Sequence, residues 1–377
     1  MSKPDAPSLR ALIGYFLQLG TTGFGGPVAL VGYMQRDLVE RRRWFTESEF
    51  SDGLALSQIS PGPLAAQLAM YLGWLRNGSH GATLVGAAFV TPPFLMVFAL
   101  SVAYVHAGEL PWLRQAFAGV GAGVVCILAR SALKLGRSML QRDGLLWVIA
   151  GVNGAAVFVF QRESIVLLLI SGATVAAARA AGKLLPVPVV VPPLLMGGVF
   201  TGGALPQLGE LFAFFAQAGV AVFGSGLAII PFMYAGVVQQ RDWLTEAQFV
   251  DAIAVSMVTP GPVVITATFI GFIVAATPGA IVAAIGVFLP AYIIVLAVAP
   301  RFASVVRNES VRLFTRGVTA ATTGAIGGAA ALLSLRMLTD IRTVVIAGVV
   351  LFVLVLRMRL PEPVLIVGAG ALGIAII

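Results

Sequence analysis

Charge is what this sequence has little of. Only 11% of its 377 residues are charged, against about a quarter in an ordinary soluble domain. Acidic residues are the scarcer sign, 16 against 24 lysines and arginines, so the net charge is +8. Cysteine occurs once, as Cys126, which rules out an internal disulfide. It lies in an apolar run and reads as a small packing residue. The two histidines, His80 and His106, sit at span ends without the Cys or carboxylate spacing of a metal site, so no metal or other cofactor is expected. No nucleophile–base cluster is visible, which argues against an enzyme. The nearest approach to a phosphate-binding loop, "AARAAGKL", lacks the first glycine and the hydroxyl residue, which argues against ATP-driven chemistry. The alternating ~10-residue strands of a membrane barrel are also missing. No cleavage site follows "MSKPDAPSLR", so no removed signal peptide is expected.

What is present is apolar: 59% hydrophobic residues and a mean hydropathy of +0.97. Apolar runs occupy residues 85–105, 112–133, 145–160, 165–181, 280–298 and 344–356. Several approach the ~20 residues that cross a bilayer. The fold class that follows is an all-α polytopic membrane protein with the lipid bilayer as its partner. The arginines sit in short loops beside these runs, where membrane topology explains them and nucleic acid does not.

The chain is also duplicated. Shifted by 199 residues, "FSDGLALSQISPGP" (Phe50 to Pro63) falls on "FVDAIAVSMVTPGP" (Phe249 to Pro262). Trp44, Thr46, Glu47 and Phe24-Gly25 find Trp243, Thr245, Glu246 and Phe223-Gly224, and no gap is needed from Phe16 to Leu72. Weaker echoes pair Arg114 with Arg312 and Gly119 with Gly317. Internal symmetry of this kind is common in secondary transporters. The division expected is a first repeat over 1–183, a linker or extra crossing over 184–208, and a second repeat over 209–377.

Basic residues suggest how the halves lie. Hairpins at 9–40 and 47–76, spans near 82–105, 112–133, 145–160 and 163–181, and a crossing near 187–205 put most basic residues on one side. Only Arg114, Arg162, Arg241, Arg336 and Arg342 fall on the other. The expectation is two inverted-topology repeats, with the Arg-rich side cytoplasmic. A rival count, in which 11–33 crosses once and 187–205 does not cross, also leaves the halves inverted.

Thr46 followed by Glu49, and Thr245 followed by Gln248, are capping signals, so a helix starts after each threonine. Neither helix can pass through Pro61-Gly62-Pro63 or Pro260-Gly261-Pro262. Pro63 suits the first position of a new helix. The break therefore lies ~20 Å below the cap. Broken backbone at such depth must be buried in protein or line a wet cavity, and a new helix start offers amides and a positive dipole end to anions. Phe24-Gly25-Gly26-Pro27, with Gly23 before it, and Phe223-Gly224-Ser225-Gly226 make two more breaks. Thr21, Thr22, Ser57, Ser60, Ser256 and Thr259 add hydroxyls. The reading is re-entrant, broken helices whose tips form an oxyanion cradle near the midplane. The plainer reading is that the kinks serve packing alone.

The stretches "GFGGP" (Gly23 to Pro27), "RRRWFTESEFSDGLALSQISPGP" (Arg41 to Pro63), "VFGSGLAIIPFM" and "WLTEAQFVDAIAVSMVTPGP" (Trp243 to Pro262) resemble the chromate ion transporter family across both halves. That resemblance implies duplicated, oppositely oriented domains in the bacterial inner membrane that export chromate, with sulfate as competitor. A homodimer is a further expectation. The two halves differ where Gly26-Pro27 becomes Ser225-Gly226 and Gln58 becomes Met257. An anion channel of similar architecture stays open as the alternative.

Several side chains carry two readings. Asp52 and Asp251 are either carriers of a coupling proton or helix-start carboxylates near the interface. Glu47 and Glu246 read as dipole partners. Arg36 and Arg41 to Arg43 either mark topology or gather anions at the cytoplasmic mouth. Gln18 and Gln217 either bond the anion or join helices.

Overall fold

The computed structural model describes residues 7–24, 26–107, 111–160, 165–180, 204–222, 226–301, 308–356, 360 and 362–377. Among these there is no strand. Phe223, Gly224, Ser225, Gly25 and the 187–203 part of the expected crossing lie outside the described residues.

The chain starts with a broken pair, α1 (Leu9–Thr22) and α2 (Gly26–Met34), the latter widening into a π turn over Gln35–Arg41. Arg42, just beyond that turn, lies over the rings of Tyr15 and Trp44, so the chain returns alongside α1. Helix α3 (Glu47–Ile59) then begins at a complete capping box: Thr46 accepts from the Glu49 amide and Glu49 accepts from the Thr46 amide. A cap of this kind contributes ~1 kcal/mol.

Helix α4 (Leu64–Ala107) contains 44 residues. Straight, it would measure ~66 Å, twice the ~30 Å hydrocarbon core. It is not straight. Asn77 and Gly78 leave helical geometry (Gly78 φ 58°), and Gly73 then meets the backbone of Gly81 while Gly86 faces Met70. The chain has reversed, giving arms 64–76 and 79–107. The first arm also lies against α3, where Gly53 faces Leu68 and Tyr71. Arg76 closes the open end of this hairpin by donating to Glu49 (3.1 Å) and to the Trp44 carbonyl. Residues 47–76 thus form a helical hairpin with Pro61-Gly62-Pro63 at its tip. Pro63 sits one position earlier than the sequence suggests. Its carbonyl accepts the first helical bond, from the Gln67 amide, so it caps the arm and does not begin it.

The first half ends with α5 (Pro111–Leu135), α6 (Gly144–Phe160) and α7 (Ile165–Ala180). The same order then recurs: α8 (Ala204–Ala221), α9 (Ile229–Met233) with a π turn at Tyr234–Gln239, α10 (Glu246–Val258), α11 (Thr266–Val298), α12 (Glu309–Met337), α13 (Ile341–Val355) and α14 (Glu362–Ile376). Thr245 and Gln248 rebuild the capping box. Helix α11 reverses at Ala275 and Ala276, with Gly271 against Gly279. Gly73 therefore matches Gly271, a shift of 198 and not 199. The ungapped match expected as far as Leu72 ends earlier, because a 3-10 turn at Val263–Ile265 replaces the first turn of α4 with one residue fewer.

The halves interleave. At the centre α4 packs on α11; α1 covers α4 and α8 covers α11. Gly20 lets α1 approach the Phe89 carbonyl, and Gly219 lets α8 approach that of Val287. Helix α12 packs on α6 and α7 of the first half, while α5 packs on α13 and α14 of the second. Leu64–His106, Gln115–Leu140, Val263–Arg301 and Glu309–Met337 are long and apolar enough to cross a membrane. In the first and third, the arms 79–107 and 277–298 have the needed length. Val148, Val152, Phe160, Phe352 and Val355 are large, apolar and mostly exposed on α6 and α13, a surface that suits lipid. The chain is a multi-pass membrane protein.

Candidate functional site

Each half contributes two interruptions, and the structure brings them together by a reciprocal exchange. The amide of Gly62, at the first Pro-Gly-Pro tip, donates to the carbonyl of Val222 (2.7 Å). The amide of Gly261, at the second tip, donates to the carbonyl of Gly23 (2.9 Å). Val222 and Gly23 occupy equivalent places at the ends of α8 and α1, so each tip is stitched to the other half's Gly-rich break. Gly226 completes the junction beside Pro27 and Val263.

Both tip glycines have a physical reason to be glycine. Gly62 has φ 136° and Gly261 φ 100°, values that side chains avoid. A Cβ on Gly62 would lie 2.6 Å from Gln67 Nε2 and 2.8 Å from Ala291 Cβ; one on Gly261 would lie 2.8 Å from Pro93 Cβ and Cγ. Pro93 and Ala291 are themselves equivalent under the shift of 198.

The donors differ from the simplest expectation. Gly62 and Gly261 spend their amides on the cross-links. Pro61, Pro63, Pro260 and Pro262 have none. The hydroxyls are turned inward as well: Ser57 donates to Gly53, Ser60 to Leu56, Ser256 to Ile253 and Thr259 to Ser256, in each case to a backbone carbonyl. Side chains this short satisfy themselves on the preceding turn when buried. What the tips leave without intrahelical acceptors are the first amides of the returning arm, at Leu64, Ala65 and Ala66, all buried.

Sequence reasoning missed three contributors. Gln67 is fully buried, its Nε2 held by the Pro61 carbonyl (2.6 Å) and its Oε1 without a partner. Thr266 bonds Ser256 Oγ (2.7 Å) across the second hairpin. Thr315 of α12 donates to the Ile59 carbonyl (3.1 Å) beside the first tip. Gln67 left one signal, a lone amide in an apolar run four residues beyond Pro63.

The two halves of the junction differ in access. Thr21, Thr22 and Phe24 are exposed, and Gly26 and Pro27 half-buried, whereas Gly226 and Leu227 are buried. Glu362 of α14 approaches Gly26 and lies in the field of Lys134 and Arg130. The aspartates divide likewise. Asp52 is half-buried on α3, which buries one face only. Asp251 is 7% exposed on α10, whose residues from Phe249 to Met257 are all buried, and it accepts from Tyr104 Oη (2.7 Å). Asp251 is thus enclosed by protein where Asp52 is not.

Other candidates lie apart from the tips. Arg36 and Arg41 pair with Asp37, and Arg42 is stacked on Tyr15 and Trp44. Glu246 is held by Arg336 (3.2 Å) and Tyr234 (2.9 Å). Gln18 is exposed and Gln217 half-buried, so the matched pair differs in its surroundings. Cys126 is buried and points its thiol to the Ala347 carbonyl. No group of three or more His, Cys, Asp or Glu side chains that suits a metal occurs among the described residues. A groove of about 380 Å³ runs between α4 and α11. Its walls include Val90, Phe94, Ile285 and Phe288 but neither Pro93 nor Ala291, so it does not open on the tips.

A family model described as "Chromate transporter" matches residues 10–177 and again 209–374. The chain is 48% identical to the "Chromate transport protein" of Cupriavidus metallidurans, over 97% of this chain and 93% of that one. It is 47% identical to the "Probable chromate transport protein" of Synechococcus elongatus, over 98% and 96%. Identity to the "Chromate transport protein" of Pseudomonas aeruginosa is 34%, over 86% and 80%. No solved structure matches the chain.

Proposed function

The chain belongs to the chromate transporter family, and from that premise we propose that it exports chromate from the cytoplasm as a secondary transporter, passing the anion between its four chain interruptions. A multi-pass bacterial membrane protein of this family is a transport protein, not an enzyme. The finer reading concerns how it works. The two repeats lie opposite in the membrane, and the Arg36–Arg43 loop faces the cytoplasm.

The observation that carries the proposal is the reciprocal pair of bonds, Gly62 to Val222 and Gly261 to Gly23. If each break served only to bend its own helix, nothing would require the four to meet. Meeting concentrates the buried first-turn amides that follow Pro63 and the turn that follows Pro262. A helix start carries about half a positive charge, so two facing starts offset a large part of a doubly charged oxyanion without any arginine. Such a site also releases its anion readily, which a transporter needs. Exposure at Thr21, Thr22 and Phe24, against burial at Gly226, fits a state open on one side only. Under the proposed orientation that side is cytoplasmic, where substrate is collected.

Chromate uptake into inside-out vesicles tests the reading. Uptake that saturates, is competed by sulfate and falls on substitution at either tip supports it. In proteoliposomes, a reversal potential set by the chromate gradient alone identifies a channel; dependence on a second gradient identifies a coupled carrier.

A further inference from the structure

Asp251 is an acid inside a membrane protein with no cation beside it among the described residues. Its helix, α10, is enclosed by protein from Phe249 to Met257. Among the described residues the carboxylate accepts one hydrogen bond, from Tyr104 Oη at 2.7 Å. Tyr104 is in turn closed in by Phe117 of α5 (5.5 Å) and Phe269 of α11 (5.0 Å), both edge-on. Of the other titratable groups on these elements, His80 and His106 of α4 are exposed, Cys126 of α5 points to the Ala347 carbonyl, and the following are engaged elsewhere. Glu246, on α10 itself, is held by Arg336 and Tyr234. Tyr292 of α11 bonds Thr83, and on α4 Arg76 bonds Glu49. Glu362 of α14 lies at Gly26, with Lys134 and Arg130 of α5 near it. The side chain of Arg114 on α5 lies outside the described residues. An ionised carboxylate held by a single neutral donor in apolar surroundings is costly; a neutral carboxyl there is not. Its repeat counterpart, Asp52, is half-buried on a helix with an open face and carries no such conflict.

We infer that Asp251 is the proton-binding group that couples a proton gradient to anion movement, with Tyr104 as its positioning partner and Asp52 outside the coupling path. The inference rests on the transport reading above. When the side on which α10 begins is open, an Asp251 oxygen takes a proton from water there, forming one O–H bond. Tyr104 keeps its own proton and its bond to the carboxyl. The neutral group is then buried at low cost while the junction changes sides. The proton leaves to water on the opposite face, and the carboxylate is restored. No other bond is made or broken. The Tyr104 hydroxyl favours the charged form by donating to it, so it sets the pH at which loading occurs.

The test uses the full chain in proteoliposomes sorted so that the face where α10 begins is luminal, with chromate uptake and a luminal pH dye read together. For each coupled proton, one pH unit of luminal acidity multiplies chromate accumulation about tenfold. Wild type shows this rise and loses luminal protons as chromate enters. Asp251→Asn loses the rise and the proton flux, yet still exchanges labelled for unlabelled chromate at a reduced rate. Tyr104→Phe keeps the rise but reaches half-maximal uptake at higher luminal pH. Asp52→Asn keeps the rise. The inference is overturned if Asp251→Asn still responds to the gradient. It is equally overturned if that variant loses exchange together with the gradient response, since the residue then serves the fold or the anion path. Wild-type uptake indifferent to pH refutes the proton site and leaves transport standing; absence of chromate flux in wild type refutes the transport reading itself.

Discussion

Replacing Gly62 with alanine strikes the junction at its narrowest point. A side chain at φ 136° costs ~1–3 kcal/mol in backbone strain. The new Cβ would also lie 2.6 Å from Gln67 Nε2 and 2.8 Å from Ala291 Cβ, and overpacking of that order costs a further ~1–3 kcal/mol. Gln67 cannot simply swing away, because the Pro61 carbonyl holds it. The alternative is to let the tip retreat and give up the bond from Gly62 to Val222, worth only ~1 kcal/mol. The lower cost prevails, so the tip moves and the fold survives. Gly62→Ala is expected to insert and to melt within a few degrees of wild type, while chromate uptake into inside-out vesicles falls at least tenfold. Gly261→Ala behaves alike, its Cβ meeting Pro93. Gly14→Ala, with nothing within 4 Å of its Cβ, leaves uptake near wild type. Wild-type uptake by both tip variants would refute the reasoning.

Three other outcomes are expected. Thr46→Ala and Thr245→Ala each remove a capping box and lower stability by ~1 kcal/mol, read as a small drop in melting temperature in detergent that a Ser replacement restores. Arg76→Ala opens the first hairpin at its base, leaving Glu49 without its cation and the Trp44 carbonyl without this donor; bonds to charged groups of this kind are worth ~1.5–3 kcal/mol, and protease cleavage near residue 45 should accelerate while Arg241→Ala leaves that site unaffected. Asp340 caps α13 from a loop, and the Thr343 amide and hydroxyl hold its carboxyl below the usual carboxylate range. Its folded value is depressed, so the cap's contribution is complete above the unfolded range and is lost as pH falls through the lowered value. Asp340→Asn should flatten the acid limb of a melting-temperature profile and leave the neutral region nearly unchanged.

Much of the architecture was legible because local chemistry decided it. Thr46 with Glu49 and Thr245 with Gln248 announced two helix starts, and both boxes formed. Proline announced the tips, and residues 47–76 fold as a hairpin about the first of them. The position of Pro63 was read one residue late, since N-cap and first helical positions both tolerate a missing amide. The reversal at Ala275 and Ala276 was not read, although Pro278-Gly279 follows it as a turn signal; Ala276 takes φ 49° there, beside the contact of Gly271 with Gly279. The single-residue loss after Pro262 was hidden among interchangeable apolar residues. Within the site, the four breaks were visible one by one, but their exchange of hydrogen bonds was not, since backbone groups carry no sequence label. Tyr104 meets Asp251 across 147 residues of chain, and no spacing rule links the two.

The central claim is that the interruptions surround the transported anion. Locating bound chromate by the anomalous or electron scattering of its metal, in the full protein at saturating anion, tests it most directly. The account predicts a single tetrahedral anion within hydrogen-bond reach of the backbone after Pro63 or Pro262, lying between the two tips. An anion found only among Arg36 to Arg43, or only in the groove between α4 and α11, would contradict it.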